Sequence, residues 1–310
     1  MRQRSETEMN QIRKVERSWK SVPTIEGAGV HLKRAFGFQE APELDPFLLL
    51  DDFHSRNPTE YRPGFPWHPH RGIETITYVL QGKVAHGDSM GNQGVIGAGD
   101  VQWMTAGSGI IHQEMPEGER DGRLWGLQLW TNLPRFAKMM PPRYREITAD
   151  SIPEVGLDSG VRVKVICGIV DGTRGPVQDV VAEPEYLDID MQPHSHLVHR
   201  VKGDHTAIAY VLEGTAYSDE EDISSSKAAG GDTSHREAVS STHGPESVIV
   251  WGHDGDTLSV STENDGARFV LITGRPLREP VAWSGPIVMN TQEELRTAFQ
   301  EFREGIFVKE

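Results

Sequence analysis

The chain has 310 residues, with 31 Lys and Arg against 46 Asp and Glu, a formal net charge of −15. So acidic a surface repels phosphate backbones, which argues against direct nucleic-acid binding. The single cysteine, Cys167, leaves no disulfide framework and no thiolate zinc cluster, and no stretch approaches the roughly 20 apolar residues that span a bilayer.

Residues 1–20 are charged throughout and lack the apolar core of a signal peptide, so the expectation is a protein that is cytoplasmic and/or nuclear and not secreted. From about Val30 to Pro280 the chain reads as short apolar runs broken by Gly, Pro and Asp, such as Ile73 to Leu80, Leu124 to Trp130, Val161 to Ile166 and Phe269 to Ile272. That spacing predicts an all-β sandwich or barrel. Only the C-terminus changes period. Asn290 followed by Glu293 resembles a capping box, and Leu295, Ala298, Phe299 and Phe302 recur at helical spacing, which predicts one amphipathic helix.

An internal repeat sets the domain count. Tyr78-Val79-Leu80-Gln81-Gly82 returns as Tyr210-Val211-Leu212-Glu213-Gly214, and the turn Gly97-Ala98-Gly99-Asp100 finds its counterpart in Gly252-His253-Asp254-Gly255-Asp256. The longer spacing in the second copy is absorbed by 218–246, an acidic, serine-rich stretch that reads as a disordered insert. The expected layout is a charged segment over 1–20, a metal-binding β domain over 21–150, a second β domain over 160–289 and a helix with its tail over 290–310.

The strongest local signal is Gly64-Phe65-Pro66-Trp67-His68-Pro69-His70-Arg71-Gly72. Residues two apart on a strand share a face, so His68 and His70 project together, and His112 and Glu114 repeat the device about 40 residues later. Facing pairs of this kind supply three imidazoles and one carboxylate, a donor set for Fe(II), Mn, Ni, Cu or Zn rather than Ca or Mg, with coordination positions left open. Glu74 shares their parity and is expected to orient a ligand rather than to be one. The equivalent places in the second copy hold Arg200, Lys202, Arg268 and Val270, so no metal is expected there, although His194, His196 and His199 lie near. Trp103, Trp125 and Trp130 read as packing or as the wall of an aromatic pocket, Cys167 as a buried apolar residue, and Asp51-Asp52 as solvated or turn carboxylates rather than an acid/base dyad.

These segments resemble the pirin family of two-domain cupins. The metal pattern carries the resemblance, with Gly99 to Gly107, Leu127 to Leu133, Pro276 to Val281 and Gly285 to Thr291. It implies a bicupin: two jelly-roll β-barrel domains packed together, with a C-terminal α-helix. It implies one Fe(II) per chain, on His68, His70, His112 and Glu114, other divalent transition metals being alternatives. The family includes quercetin 2,3-dioxygenases and nuclear transcription co-regulators, so two functions are expected to compete. In the first, an Fe(II) enzyme cleaves the ring of a flavonol or related enol with dioxygen, Glu114 being the catalytic group that takes the substrate proton. In the second, a redox-sensing iron protein binds a transcription factor or signalling partner without turnover. Neither involves a membrane, and a monomer is expected.

Overall fold

The structure, a computed structural model, describes residues 11–157, 160–218 and 241–309. The chain opens with β1 (Val15–Lys20), β2 (Val22–Glu26), β3 (Val30–Phe36) and β4 (Phe47–Ser55). It continues through β5 (Phe65–His70), β6 (Ile73–Gln81), β7 (Lys83–Asp88) and β8 (Gln93–Gly97). Then come β9 (Val101–Thr105), β10 (Ile110–Glu117), β11 (Leu124–Asn132) and β12 (Arg143–Ile147). β6 is rich in β-branched residues, with five of Ile, Thr and Val among its nine and one Tyr, a composition that suits a pleated, buried strand. It ends at Gly82, whose φ of 81° makes the turn into β7.

Strands β12-β9-β6-β11-β4-β3-β2 form one sheet, and β5-β10-β7-β8 a second. Apolar side chains of both, among them Leu32, Phe53, Val79, Val84 and Ile96, pack into one core. This is the predicted cupin barrel.

The second half repeats the plan. It adds β13 (Glu154–Leu157), β14 (Val161–Cys167) and the short pair β15 (Ile169–Val170) and β16 (Thr173–Arg174). β17 (Glu185–Met191), β18 (His196–Arg200), β19 (Thr206–Gly214) and β20 (Ala216–Ser218) follow. β21 (Thr242–His243), β22 (Ser247–Trp251), β23 (Thr257–Ser261) and β24 (Ala267–Gly274) complete it. Again a seven-stranded sheet, β1-β22-β19-β24-β17-β14-β13, accompanies a four-stranded one, β18-β23-β20-β21.

Strand pairing revises the alignment of the two copies. Glu246 N–H donates to Val211 O at 2.7 Å, as Gly99 N–H donates to Val79 O at 2.8 Å. The turn matching Gly97 to Asp100 is therefore the one at 244–246, and Gly252 to Asp256 is the next turn along. β23, not β24, is the partner of β18, so Arg268 and Val270 are not the counterparts of His112 and Glu114. The inward positions on β18 are Leu197 and His199, opposite Val260 and Leu258. The proposed insert narrows as well. Residues 219–240 lie outside the described residues, but its flanks are strands, with Tyr217 opposite Thr242 and Ala216 opposite His243.

Chain order and compact units do not coincide. One unit takes 21–153, 165–184 and 274 onwards; the other takes the described residues of 11–20, 154–164 and 185–273. The charged N-terminal segment forms the edge strand β1, paired antiparallel with β22. Arg13 anchors it: its buried guanidinium donates to the carbonyls of Gly255 at 2.9 Å, His205 at 2.7 Å and Lys202 at 2.7 Å. At the other end, β25 (Ala282–Ser284), β26 (Ile287–Met289) and α1 (Gln292–Glu304) belong to the unit of the first barrel. The helix is capped one residue later than the sequence suggests. Thr291 Oγ1 accepts from Glu294 N at 3.2 Å and Glu294 Oε2 accepts from Thr291 N at 2.9 Å, because Thr291 has the extended backbone a cap requires. Gly305, at φ 75°, ends it. Among the described residues no helix is long and apolar enough to cross a membrane.

Replacing Arg13 by Leu strands three carbonyls that now share one guanidinium. We expect a loss of roughly 2–4 kcal/mol, by the cost of leaving buried polar groups unpaired, read as a lower denaturation midpoint in urea.

Candidate metal centre

His68 and His70 lie on β5, and His112 opposite His68 on β10. Their ligating nitrogens lie within 4.8 Å of one another, the one such group of His, Cys, Asp and Glu atoms among the described residues. Backbone carbonyls set two of the rings. His68 Nδ1 lies 2.9 Å from Pro66 O, and His70 Nδ1 lies 3.0 Å from Pro286 O, so both carry their proton on Nδ1. Their Nε2 atoms face each other at 3.0 Å, lone pair against lone pair. Protonation would relieve that contact only at the cost of burying a charge: burial, with the neighbouring His68, holds His70 well below its ordinary value. His112 is held down in the same way, by burial first and then by His70 and His68. Its ring is fully buried, and neither of its nitrogens has a hydrogen-bond partner. Convergent imidazoles, two of them held neutral by burial and one with both nitrogens unpartnered, are the arrangement a divalent transition metal fits.

Glu114 stands outside the group of three. The extra residue of a register shift lies on β5, where Phe65 faces Glu114; on β10 the pairing with β7 runs unbroken through His112 and Glu114, and both are buried on one face, yet the carboxylate does not join the cluster of nitrogens. Instead Glu114 Oε1 lies 2.8 Å from Thr77 Oγ1, and Glu114 Oε2 accepts from Gln128 Nε2 at 3.1 Å. Glu74 is also apart; buried, it accepts from Thr105 Oγ1 at 2.6 Å and ties β6 to β9. Asp51 and Asp52, expected to be solvated, are both buried on β4. Asp51 instead faces inward and takes a forked pair of hydrogen bonds from Arg34, at 2.8 Å each.

In the second unit the histidines do not converge on one another. His196 Nε2 pairs with Ser259 Oγ at 2.9 Å and His199 Nε2 with Glu185 Oε2 at 3.2 Å.

A cavity of about 550 Å³ opens beside His68 and His70, between the two sheets of the first barrel. His68, His70, Glu114, Gln128 and Thr77 supply its polar side, and Leu32, Leu49, Phe53, Phe65, Trp130 and Trp283 its apolar walls. Trp130 stands edge-on to His70, ring centres 4.9 Å apart. Trp103 and Trp125 are core residues, the latter stacked on His54.

Several supports were not singled out in the sequence. His86, with the parity of Asp88 on β7, is buried with its ring 5.5 Å from that of His112 and its Nε2 3.3 Å from Asp88 Oδ2. Pro286 lies within the Gly285 to Thr291 motif, but nothing local marks its role, since the ring it orients is 216 residues away. The β25–β26 hairpin, whose turn holds Pro286, is fastened to the β5–β6 corner. Val288 N–H donates to Arg71 O at 3.1 Å, and buried Lys138 Nζ donates to Gly72 O at 2.9 Å, Asn132 Oδ1 at 2.7 Å and Val288 O at 3.0 Å. Burial pushes the Lys138 amine down to about 7, while three acceptors facing three N–H donors favour its charged form. Arg71 adds an ion pair with Glu301 at 2.7 Å and lies over the Phe307 ring, 4.2 Å from its centre.

With this geometry in view, comparison with known proteins is informative. The Pirin family signature matches residues 29–131, and that of the pirin C-terminal cupin domain matches residues 186–308. A pirin-like protein of Caulobacter vibrioides is 42% identical over 96% of this chain and 99% of its own. Pirin-like protein 2 of Arabidopsis thaliana is 42% identical over 90% of this chain and 81% of its own. Among solved structures, quercetin 2,3-dioxygenase from Acinetobacter baumannii superposes with a TM-score of 0.82 at 30% identity, covering 96% of this chain and all of that one.

Lys138→Met should loosen the hairpin whose turn carries Pro286 and with it the orientation of His70. The expected result is metal affinity lower by about tenfold, the size typical of lost support behind a ligand, measured by competition with a chromogenic chelator.

Proposed function

The chain belongs to the pirin family, and on that footing we propose that it is an Fe(II)-dependent dioxygenase of the quercetin 2,3-dioxygenase type, acting on a flavonol or related enol. The observation that supports this most is the cavity itself. A purely structural metal needs no 550 Å³ space beside its ligands, walled by aromatic rings and open to one face of the site. The similarity to the Acinetobacter enzyme points the same way. In this reading His68, His70 and His112 hold the metal with Glu114 as fourth ligand, and bound Fe(II) supplies the one-electron and dioxygen chemistry that cleavage of a flavonol ring demands.

The protein's own part is binding, orientation and proton transfer. Phe65, Trp130 and Trp283 present flat apolar surface to a planar substrate and keep water away from it. Glu114 takes the proton of the substrate's enolic hydroxyl. Thr77 Oγ1 sits between two acceptors, 2.8 Å from Glu114 Oε1 and 2.6 Å from Gln128 Oε1, with one proton to give. A proton arriving on Glu114 Oε1 completes the chain: the carboxyl donates to Thr77, and Thr77 donates to Gln128. Gln128 Nε2 meanwhile holds the other carboxylate oxygen in place.

Oxygen uptake by iron-loaded protein on adding quercetin should match quercetin loss and vanish in His112→Ala while the far-ultraviolet circular dichroism persists. Glu114→Gln should lower kcat by roughly 10²–10⁴-fold, the usual worth of a general base, with quercetin still bound. Iron bound without any uptake would move the reading to the redox-dependent protein-binding role. Separately, stripping the metal should lower the melting temperature, by about 2.7 kcal/mol of stability if it had been present at 100 times its Kd.

A further inference from the structure

We propose that the ion cluster Arg34–Asp51–Glu26 is a second anchor for the substrate, one that reads a hydroxyl group at the end of the molecule remote from the three histidines. The assignment rests on the flavonol reading above and adds to it a residue set that selects among flavonols.

The register of the larger sheet carries the argument. Arg34 on β3 lies opposite Asp51 on β4, Asp51 opposite Gln128 on β11, and Gln128 opposite Thr77 on β6. Directly opposed residues share a face, so these four side chains form one polar row across the cavity wall. All four line the cavity. At the Thr77 end the row meets Glu114, beside the histidines. The Arg34 end lies three strands away, roughly 14 Å at the usual ~4.8 Å strand spacing. Above and below the row the same face is apolar: Leu32, Leu49, Phe53 and Trp130 are the two-residue neighbours on their strands. The cavity is therefore a slot with a polar group at each end and greasy walls between, sized for a flat molecule of two or three linked rings.

The far anchor has a definite chemistry. Arg34 uses Nε and Nη2 on Asp51, and Nη2 also on Glu26 at 2.9 Å. Its Nη1 makes no hydrogen bond or ion pair in the structure and is left to donate into the cavity. Asp51 and Glu26 retain lone pairs that accept. A phenolic hydroxyl, donor and acceptor at once, satisfies both. A carboxylate does not, since one guanidinium against two carboxylates leaves the cluster net negative. Asp51 is only 5% exposed. A buried ion pair stabilises a fold little, and often less than apolar residues of the same volume. A pocket built to hydrogen-bond a hydroxyl, by contrast, rejects the analogue lacking it, because its buried polar groups then go unpaired.

The test is calorimetric binding of two ligands to the iron-loaded protein without oxygen: quercetin, and 3-hydroxyflavone, which keeps the metal-facing hydroxyl and ketone but lacks the outer hydroxyls. Wild-type protein should bind quercetin about tenfold or more tightly, the worth of a hydrogen bond to a charged group. Arg34→Lys keeps a cation against Asp51 but cannot fork, and should cut that preference to under about threefold while changing 3-hydroxyflavone binding less than about twofold. Asp51→Asn, checked like it for an unchanged melting profile, should do the same. A preference that stays the same in both folded variants overturns the anchor while leaving the flavonol reading intact. Wild-type protein that binds neither ligand overturns the flavonol reading, and the anchor with it.

Discussion

Two imidazole lone pairs set 3.0 Å apart in a buried site are the constraint around which the first barrel is organised. Such a contact is unfavourable by itself. It persists because Pro66 O and Pro286 O hold the Nδ1 protons on the far sides of the two rings, and because burial denies His70 a second proton. The fold therefore stores a demand for a cation at one point. Much of the surrounding structure maintains that demand: His112, with both nitrogens unpartnered, closes the third side, and Lys138 Nζ and the Arg71 carbonyl fasten Val288, just after the turn that bears Pro286, to the corner after His70. A metal that enters meets donors already oriented, so little of its binding energy goes into ordering them.

Legibility in the sequence follows the range of the interactions. The histidine positions were readable because strand periodicity is local: two residues apart means one face. The family motifs, also local, gave the bicupin architecture. Glu114 shows the limit of the same rule: it shares a buried face with His112, but strand parity does not say which partners its oxygens find, and here these are Thr77 and Gln128. The copies were misaligned for a related reason: Gly-Asp turns look alike in sequence, and only the hydrogen bond from Glu246 to Val211 identifies the right one. Asp51 read as a solvated carboxylate because its partner, Arg34, is a strand away. Pro286 was out of reach altogether, as no local pattern ties a carbonyl near the C-terminus to a ring at position 70.

Both ends of the chain illustrate how far a locally polar sequence can be recruited. Residues around β1 look like a charged leader, yet the backbone of that strand extends a sheet edge, and Arg13 turns a charge into three carbonyl contacts. An edge strand needs backbone complementarity more than apolar side chains, so composition alone understates it. The C-terminal helix is the reverse case. Leu295 and Ala298 bury as the helical period demands, while Phe302 stays substantially exposed, so the stripe is narrower than the sequence suggests.

The two barrels share a strand plan and differ in what their interiors leave unpaired, and that difference carries the chemical distinction between them. In the second unit the inward positions of β18 and β23 are Leu197, Leu258 and Val260 with a single imidazole, His199, which is engaged by Glu185 while Glu185 also accepts from Thr273 at 3.1 Å. Aliphatic side chains and a closed hydrogen-bonded pair make a finished core. In the first unit the equivalent strands bring three imidazoles together and leave four of their nitrogens, both of His112 and the facing Nε2 atoms of His68 and His70, without a protein donor. Folding alone does not satisfy those atoms; binding does. The same sheet that backs them carries a polar row out to Arg34, so the unmet demand of the metal end and the hydrogen-bonding capacity of the far end face one cavity. A site is recognisable here less by the residues it contains than by the interactions the fold declines to complete.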